Sequence, residues 1–207
     1  MEPYRREIRI AGFGGQGVVL AGIVLARAGM LDGRQVVQNQ SYGAEARGGG
    51  ARAEVILADG PILYTDVLHP DVMLVMSQLA CNKYGQDLAT DGQLIIETEL
   101  VSDVPIALQD RASGAPFTQM AQDTFERAIV ANMVALGYCV GRTEVVTRES
   151  LIRAVEELVP AGTAELNLAA VAAGWELAPV PGLVHGSMSG PLPPLAGSAS
   201  VVELDAS

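Results

Sequence analysis

A glycine-rich turn near the start of the chain limits the possible folds more than any other feature of the sequence. Gly12 to Gly17 read GFGGQG and match the pattern GxGxxG. The preceding segment, Glu7 to Phe13, becomes wholly apolar as a first buried strand does, and Val18 to Leu31 reads as a helix with small residues on one face. With a second strand predicted at Gln35 to Gln40, the unit occupies about 30 residues, the length of one βαβ crossover.

The rest of the chain continues this alternation of strands and helices. It predicts strands at Ala53–Ala58, Val72–Met76 and Gln93–Glu97, a hairpin partner at Ile62–Tyr64, and helices at Gln78–Ala89, Gln119–Val140, Arg148–Val159 and Ala164–Leu177. Alternation of this kind favours an α/β fold, a Rossmann-like three-layer sandwich around a mostly parallel sheet. We expect this domain to span residues 1–178. Residues 179–207 are rich in Pro, Gly and Ser and are predicted to form an extended or disordered arm.

Composition narrows the choice of partners and location. The formal net charge of the 207 residues is −11, which argues against nucleic acid or an anionic membrane as the main partner. Hydrophobic residues make up 49% and charged residues 18%, so a permanent complex could cover apolar faces. The longest apolar run, Val18 to Ala26, is too short to span a bilayer. With no visible signal peptide, we expect a cytoplasmic protein.

Ionisable and metal-binding residues are sparse. The two cysteines, Cys81 and Cys139, are too few for an iron–sulfur cluster and are predicted to be buried small residues in a reducing compartment. His69 and His185 are isolated and read as ordinary loop residues. We find no Ser/His/Asp or Cys/His set, and therefore predict neither a catalytic residue nor a metal ligand in this chain.

Three interpretations of the glycine turn remain open. A nicotinamide or flavin dinucleotide site normally has an Asp or Glu at the end of the second strand, but here that strand ends in Gln38-Asn39-Gln40-Ser41. The turn could instead be purely structural. It could also bind another phosphate-bearing ligand through the free N–H groups at the start of the helix.

A second glycine-rich segment follows the second strand. Ser41 to Gly50 read SYGAEARGGG, with one arginine among many glycines. Arg47 could bind a phosphate or carboxylate with two hydrogen bonds, or lie in a subunit interface, or belong to a solvated loop. Tyr42 is more consistent with an interface or a lid than with chemistry.

Together these segments resemble a known family. The runs EIRIAGFGGQGVVLAG, SYGAEARGG, SQLACNKYGQDL and IVANMVALG are similar to the gamma subunit of 2-oxoacid:ferredoxin oxidoreductases, over roughly residues 5 to 178. The paired GFGGQG and SYGxExRGG motifs are specific, whereas GxGxxG alone is not. The motifs most closely resemble those of 2-oxoglutarate enzymes, with branched-chain 2-oxoacid and arylglyoxylate enzymes as alternatives. A stand-alone dinucleotide-dependent oxidoreductase is the rival hypothesis.

The resemblance implies a division of labour between chains. Thiamine diphosphate with Mg would lie on alpha and beta subunits, and [4Fe-4S] clusters on a ferredoxin-like subunit or domain. The gamma chain would hold no cofactor by itself but would contact coenzyme A, the acceptor of the acyl group. Matching positions assign this contact to Gly14, Gly15, Gln16 and Gly17 in the turn, to Arg47, and to Asn132. From the residues alone, Asn132 could equally make a hydrogen bond between a helix and a loop.

Overall fold

The computed structural model describes residues 4–42 and 50–178, which form one α/β domain around a six-stranded sheet. Arg47 and the predicted arm at residues 179–207 therefore lie outside the described residues. The strands are β1 (Arg5–Phe13), β2 (Gln35–Tyr42), β3 (Gly50–Ala58), β4 (Val72–Val75), β5 (Gln93–Glu97) and β6 (Ala112–Ala115). The helices are α1 (Val18–Leu31), α2 (Gln78–Tyr84), α3 (Ile106–Gln109), α4 (Phe117–Phe125), α5 (Ala131–Thr143), α6 (Arg148–Leu158) and α7 (Ala164–Leu177).

The sheet has the order β2-β3-β1-β4-β5-β6. Strands β1, β4, β5 and β6 pair in parallel, while β3 is antiparallel to both of its neighbours, β1 and β2. The predicted mostly parallel α/β sandwich is thus confirmed. The crossover from β1 through α1 to β2 also exists, but it passes over β3, which lies between the two strands.

Helices cover the two faces of the sheet unequally. On the first face, α1 and α5 pack on the strands, with α6 and α7 outside them, and together they enclose the larger apolar core. α5 is buried along nearly its whole length, as expected for a helix that is apolar on every side. On the second face, a smaller core joins α2 and α3 to β1, β4 and β5.

Helix α1 lies unusually close to the sheet. A Cβ atom added to Gly22 would come within 2.4 Å of the Cβ atom of Ala53 in β3, and one added to Gly29 within 2.4 Å of a methyl carbon of Leu57. Neither distance is possible between real carbon atoms. The small-residue face predicted for this helix therefore faces the sheet and permits the close approach.

Two predicted elements and one predicted linker differ from the structure. The segment Ile62–Tyr64 is not a strand and belongs to a long connection, residues 59–71. The predicted helix Gln119–Val140 is interrupted where Glu126 takes a left-handed conformation (φ 55°), so that α4 ends there and a short 3₁₀ helix, Ala128–Val130, leads into α5. The linker before α4 contains α3 and β6, which lack a strong apolar pattern.

The end of α1 is fastened to the start of α6 by one carboxylate. Asp32, the C-terminal cap of α1, accepts hydrogen bonds from the backbone N–H (2.8 Å) and the hydroxyl (2.6 Å) of Thr147, which caps α6. Partial burial opposes ionisation of Asp32, but hydrogen bonds from Ser150 and Thr147 outweigh it and hold the pKa of this carboxyl below its ordinary value of 3.8.

We expect Asp32→Asn to lower the free energy of unfolding by about 0.5–1.5 kcal/mol at pH 7, because the amide cannot accept both hydrogen bonds equally well. The pKa of Asp32 is lower in the folded than in the unfolded state. Its contribution is therefore complete above pH 3.8 and is lost as the pH falls through the folded-state pKa. Urea denaturation at pH 7 and at pH 3 checks this. The difference in free energy of unfolding between Asp32→Asn and the wild type should be smaller at pH 3 than at pH 7. Asp91→Asn, at an exposed position, is the control, and its difference from the wild type should not shrink in this way.

Candidate functional site

The glycine turn follows β1, at the point where the order in which the strands are connected reverses its direction across the sheet. From β1 the chain leads through α1 towards β2 on one side of the sheet, whereas the strand that pairs with β1 on the other side is β4. In open α/β sheets, ligands bind outside the carboxyl ends of the strands at such a switch point. Gly15 (φ 98°) and Gly17 (φ 72°) both adopt left-handed conformations that a residue with a Cβ atom disfavours.

The side chain of Gln16 joins the ends of two strands. Its Oε1 atom accepts a hydrogen bond from the backbone N–H of Phe13 (2.6 Å), and its Nε2 atom donates to the carbonyl of Met76, just after β4 (2.8 Å). The sequence suggested that this amide faces a ligand. In the structure these two bonds are made within the protein, so Gln16 fixes the shape of the turn.

Asn132 fixes the other end of the turn. Its buried side chain, in the first turn of α5, donates a hydrogen bond from Nδ2 to the carbonyl of Gly17 (3.1 Å), the N-terminal cap of α1. A Cβ atom on Gly17 would lie 2.4 Å from that same nitrogen, so only glycine fits. This is the helix–loop hydrogen bond that the sequence allowed as an alternative to ligand contact.

A pocket of about 270 Å³ opens beside the turn. It is lined by Gly15, Gln16, Met76, Leu100, Thr118, Ala128, Ile129 and Ala131. All of these lining residues are uncharged. The wall contains the turn residues that precede α1, Thr118 in the first turn of α4, and the segment that leads into α5 together with the first residue of α5.

A buried carboxylate that the sequence analysis missed supports this wall. Glu97, the last residue of β5, is completely buried, and its Oε2 atom accepts hydrogen bonds from the backbone N–H (2.7 Å) and hydroxyl (2.9 Å) of Thr118. Its Oε1 atom accepts from the N–H of Glu99 (3.1 Å). Glu97 thereby caps α4 and fixes the turn that carries Leu100. An acid at the carboxyl end of an otherwise apolar strand was the available signal.

The ends of the second glycine-rich segment lie near the same site. Strand β2 ends at Tyr42, and β3 begins at Gly50, which pairs with Phe13 at the end of β1. Tyr42 and Gly50, which flank residues 43–49, therefore lie at the same end of the sheet as the glycine turn, where β1 ends. Tyr42 is exposed, as an interface or lid residue would be.

The cysteines are not poised for chemistry. Burial raises the pKa of Cys139 to about 12, and burial followed by the charge of Asp103 raises the pKa of Cys81. Both thiols are buried, as predicted. Within residues 4–42 and 50–178, no group of three or more His, Cys, Asp or Glu side chains could hold a metal ion. Nor is any helix in those ranges long and apolar enough to cross a membrane.

Comparison with known proteins identifies the class. Residues 7–177 match the family model described as pyruvate ferredoxin/flavodoxin oxidoreductase. The chain is 43% identical over 176 residues to the 2-oxoglutarate synthase subunit KorC of Methanocaldococcus jannaschii, covering 84% of this chain and 94% of that protein. It is 46% identical over 179 residues to KorC of Methanothermobacter thermautotrophicus, covering 84% and 95%. The chain therefore belongs to the pyruvate ferredoxin/flavodoxin oxidoreductase family.

A solved structure refines this assignment. The gamma subunit of a keto/oxoacid ferredoxin oxidoreductase from Geobacter sulfurreducens superposes with a TM-score of 0.73 at 42% identity, covering 83% of this chain and 96% of that one. The resemblance to gamma subunits is thus confirmed, and the chain is an oxidoreductase subunit.

In two other proteins the matching segment is part of a longer chain. The ketoisovalerate oxidoreductase subunit VorA of Methanothermobacter thermautotrophicus is 33% identical over 63% of this chain, which is 27% of VorA. The 2-oxoglutarate:ferredoxin oxidoreductase from Magnetococcus marinus, solved with 2-oxoglutarate, coenzyme A and succinyl-CoA bound, has the same fold (TM-score 0.73, 21% identity) over 84% of this chain and 31% of that one.

We expect Glu97→Gln to lower the free energy of unfolding by about 1–3 kcal/mol, because an amide nitrogen would face the N–H and hydroxyl of Thr118 and leave buried donors without acceptors. Chemical denaturation followed by circular dichroism measures the change. Glu99→Gln is the matched control, since that side chain is exposed, and should stay within about 0.5 kcal/mol of the wild type. Equal losses in both variants would contradict the capping role of Glu97.

Proposed function

We propose that this chain is the gamma subunit of a 2-oxoacid oxidoreductase that forms acyl-CoA from 2-oxoglutarate, and that it helps to bind coenzyme A and to assemble the complex. The two KorC relatives, at 43% and 46% identity, support 2-oxoglutarate over the branched-chain acid of VorA, at 33%. The coenzyme A bound in the structure of the Magnetococcus enzyme supports coenzyme A as the ligand of this family of complexes.

The observation that carries the proposal is the meeting of helix N-termini at an uncharged pocket. The first N–H groups of a helix lack partners within the helix, and its dipole favours an anion at that end. Gly15 and Gln16, which lead into α1, line the pocket, as do Ala128 and Ile129 before α5 and Ala131 at its start. The α4 end is compensated by the carboxylate of Glu97. A phosphate group of coenzyme A suits such a site.

The predicted site residues then take different parts. Gly14, Gly15 and Gly17 offer backbone N–H groups and allow a phosphate to approach closely. Gln16 and Asn132 hold the turn in the conformation that presents those groups. Arg47, three residues before Gly50, supplies a guanidinium to a phosphate or to the partner chain. Phe13, Leu100 and Ile129, which are exposed near the pocket, offer apolar contact to the less polar part of the ligand.

The bond-breaking steps belong to other chains in this proposal. Thiamine diphosphate with Mg on alpha and beta subunits supplies cleavage of the bond to the carboxylate, and [4Fe-4S] clusters on a ferredoxin-like subunit or domain carry the electrons. This chain contributes binding and orientation of the acyl acceptor. In this proposal the chain and the rest of the complex are cytoplasmic.

The test is purification of the tagged chain from its native cell, followed by thiamine, iron and subunit analysis and a panel of 2-oxoacids. Coenzyme A-dependent oxidation with the highest kcat/KM for 2-oxoglutarate is the expected result. A higher kcat/KM for a branched-chain acid or an arylglyoxylate would show that this acid, and not 2-oxoglutarate, is the substrate. A chain that carries bound flavin or nicotinamide without partner subunits would refute the whole proposal.

We expect Gly15→Asp to raise the KM for coenzyme A in the purified complex by about 10- to 100-fold, with the KM for the 2-oxoacid unchanged. The new carboxylate would occupy open space beside the pocket and repel a phosphate, at a cost comparable to losing a charge-assisted hydrogen bond, roughly 1.5–3 kcal/mol.

Gly33→Asp is the matched control for this variant. Gly33 also has a positive φ (80°) and open space around it, but it lies at the other end of α1. It should cause a similar backbone strain without affecting coenzyme A. If Gly15→Asp assembles normally and its KM for coenzyme A equals that of Gly33→Asp, the ligand role of the turn is wrong.

A further inference from the structure

An apolar groove runs between the two outer helices of the larger core, α6 and α7. This α6–α7 groove has a volume of about 350 Å³ and is lined by Arg148, Ile152, Leu168, Ala169, Val171 and Ala172. Its lining is apolar apart from Arg148. Val171 is buried at its base, and the short side chains of Ala169 and Ala172 leave space that the half-buried Ile152 and Leu168 do not fill.

An aromatic ring lies at one end of the α6–α7 groove. Trp175 follows Ala172 by one helical turn on α7 and is half-buried. The guanidinium of Arg148 lies over its ring, 5.4 Å from the centroid. Grooves lined by aromatic and aliphatic side chains bind extended proline-rich segments, because such segments are already ordered before they dock.

The charges around the groove favour an uncharged occupant. Four exposed acids lie three or four residues from lining side chains, and therefore beside the groove: Glu149 and Glu156 on α6, and Glu165 and Glu176 on α7. They outnumber the two arginines of α6, Arg148 and Arg153. An acidic segment would be repelled here.

The chain continues beyond α7 with a segment of the required composition. Residues 179–207 lie outside the described residues and also beyond the part that matches the family model, residues 7–177. Within them, Pro191 to Leu195 read PLPPL, without charge. This sequence favours a polyproline II helix, which has three residues per turn and would place Leu192 and Leu195 on the same side.

The segment is long enough to reach the groove. Ala178, the last described residue, packs on α5, since a Cβ atom added to Gly141 would lie 2.9 Å from its Cβ atom. From there α7 leads back to Leu168 over about 15 Å, at the rise of an α-helix. Residues 179–190 can span about 40 Å when extended. The five residues PLPPL are about 15 Å long as a polyproline II helix, which suffices to follow α7 from Leu168 to Trp175.

We propose that residues 191–195 dock in cis in the α6–α7 groove, with Leu192 and Leu195 on its apolar lining and the prolines against Trp175. The chain would turn back after α7 and run along it in the opposite direction. Covalent attachment keeps the segment at a high local concentration, so that a small apolar contact is enough to hold it. The docked segment covers an apolar surface that would otherwise favour association with other chains. This inference is independent of the proposed function.

The first experiment uses Trp175 as a reporter, because it is the only tryptophan in the chain. Leu192→Ser combined with Leu195→Ser removes the proposed contacts in the full-length protein. Val202→Ser combined with Leu204→Ser is the matched control, with two apolar residues of the same segment replaced. We expect the first variant to raise the acrylamide quenching constant of Trp175 about twofold, since the ring becomes exposed, and the control to leave it unchanged.

Both variants change residues outside the helical core, and circular dichroism verifies that the domain is intact. Equal quenching constants in the wild type and in the first variant would overturn the docking. An equal rise in the control would overturn the choice of residues 191–195. A wild-type quenching constant that falls as the chain concentration rises would show that a second copy supplies the segment, which also contradicts docking in cis.

A second experiment identifies the occupant directly. Ala169→p-benzoylphenylalanine places a photo-crosslinker in the groove of the full-length chain, at a position that is exposed. The variant is mixed with an isotopically labelled copy, and mass spectrometry maps the crosslinked peptides. Crosslinks to residues 191–195 within one isotopic form are expected. Crosslinks between the two isotopic forms, or crosslinks that do not involve residues 191–195, would refute the assigned occupant.

Discussion

The close contact between α1 and β3 is the constraint on which the candidate site depends. Gly22 against Ala53 and Gly29 against Leu57 leave no space for a side chain between helix and sheet. A helix held so near the sheet must begin almost directly above the end of β1. The chain has only Gly14 to Gly17 in which to make that turn, and two of these residues take left-handed conformations. The position of the helix N-terminus is therefore a consequence of packing in the core.

The polar side chains around the turn serve the backbone. Gln16 ties the turn to β4, Asn132 ties it to α5, and Glu97 caps α4 from beneath the pocket. Because each of these groups is engaged within the protein, the turn keeps its shape without a ligand. A site built in this way suits orientation of a bound group.

The sequence was informative where structure is local. The strand–turn–helix unit, the buried runs in β4 and β5, and the small-residue face of α1 all follow from periodicity, and the α/β class was correct. Placement of β3 between β1 and β2 depends on pairing between distant residues, which periodicity does not record. Glu126 gives no hint of its left-handed conformation, because glycine or asparagine is usual there. Gln16 and Asn132 were recognised, but their partners, Met76 and Gly17, are distant in sequence. Arg47 stays a prediction.

An uncharged pocket in a chain of net charge −11 has a kinetic consequence. Helix dipoles attract an anion only within a few ångströms, whereas the net charge acts over about 8–10 Å, the Debye length near physiological ionic strength. An anionic ligand that approaches the isolated chain is therefore repelled before it is attracted. Added salt would screen the repulsion and speed its arrival, the opposite of what is seen when lysine and arginine guide a ligand. Rapid capture of an anion would then depend on positive charge close to the pocket.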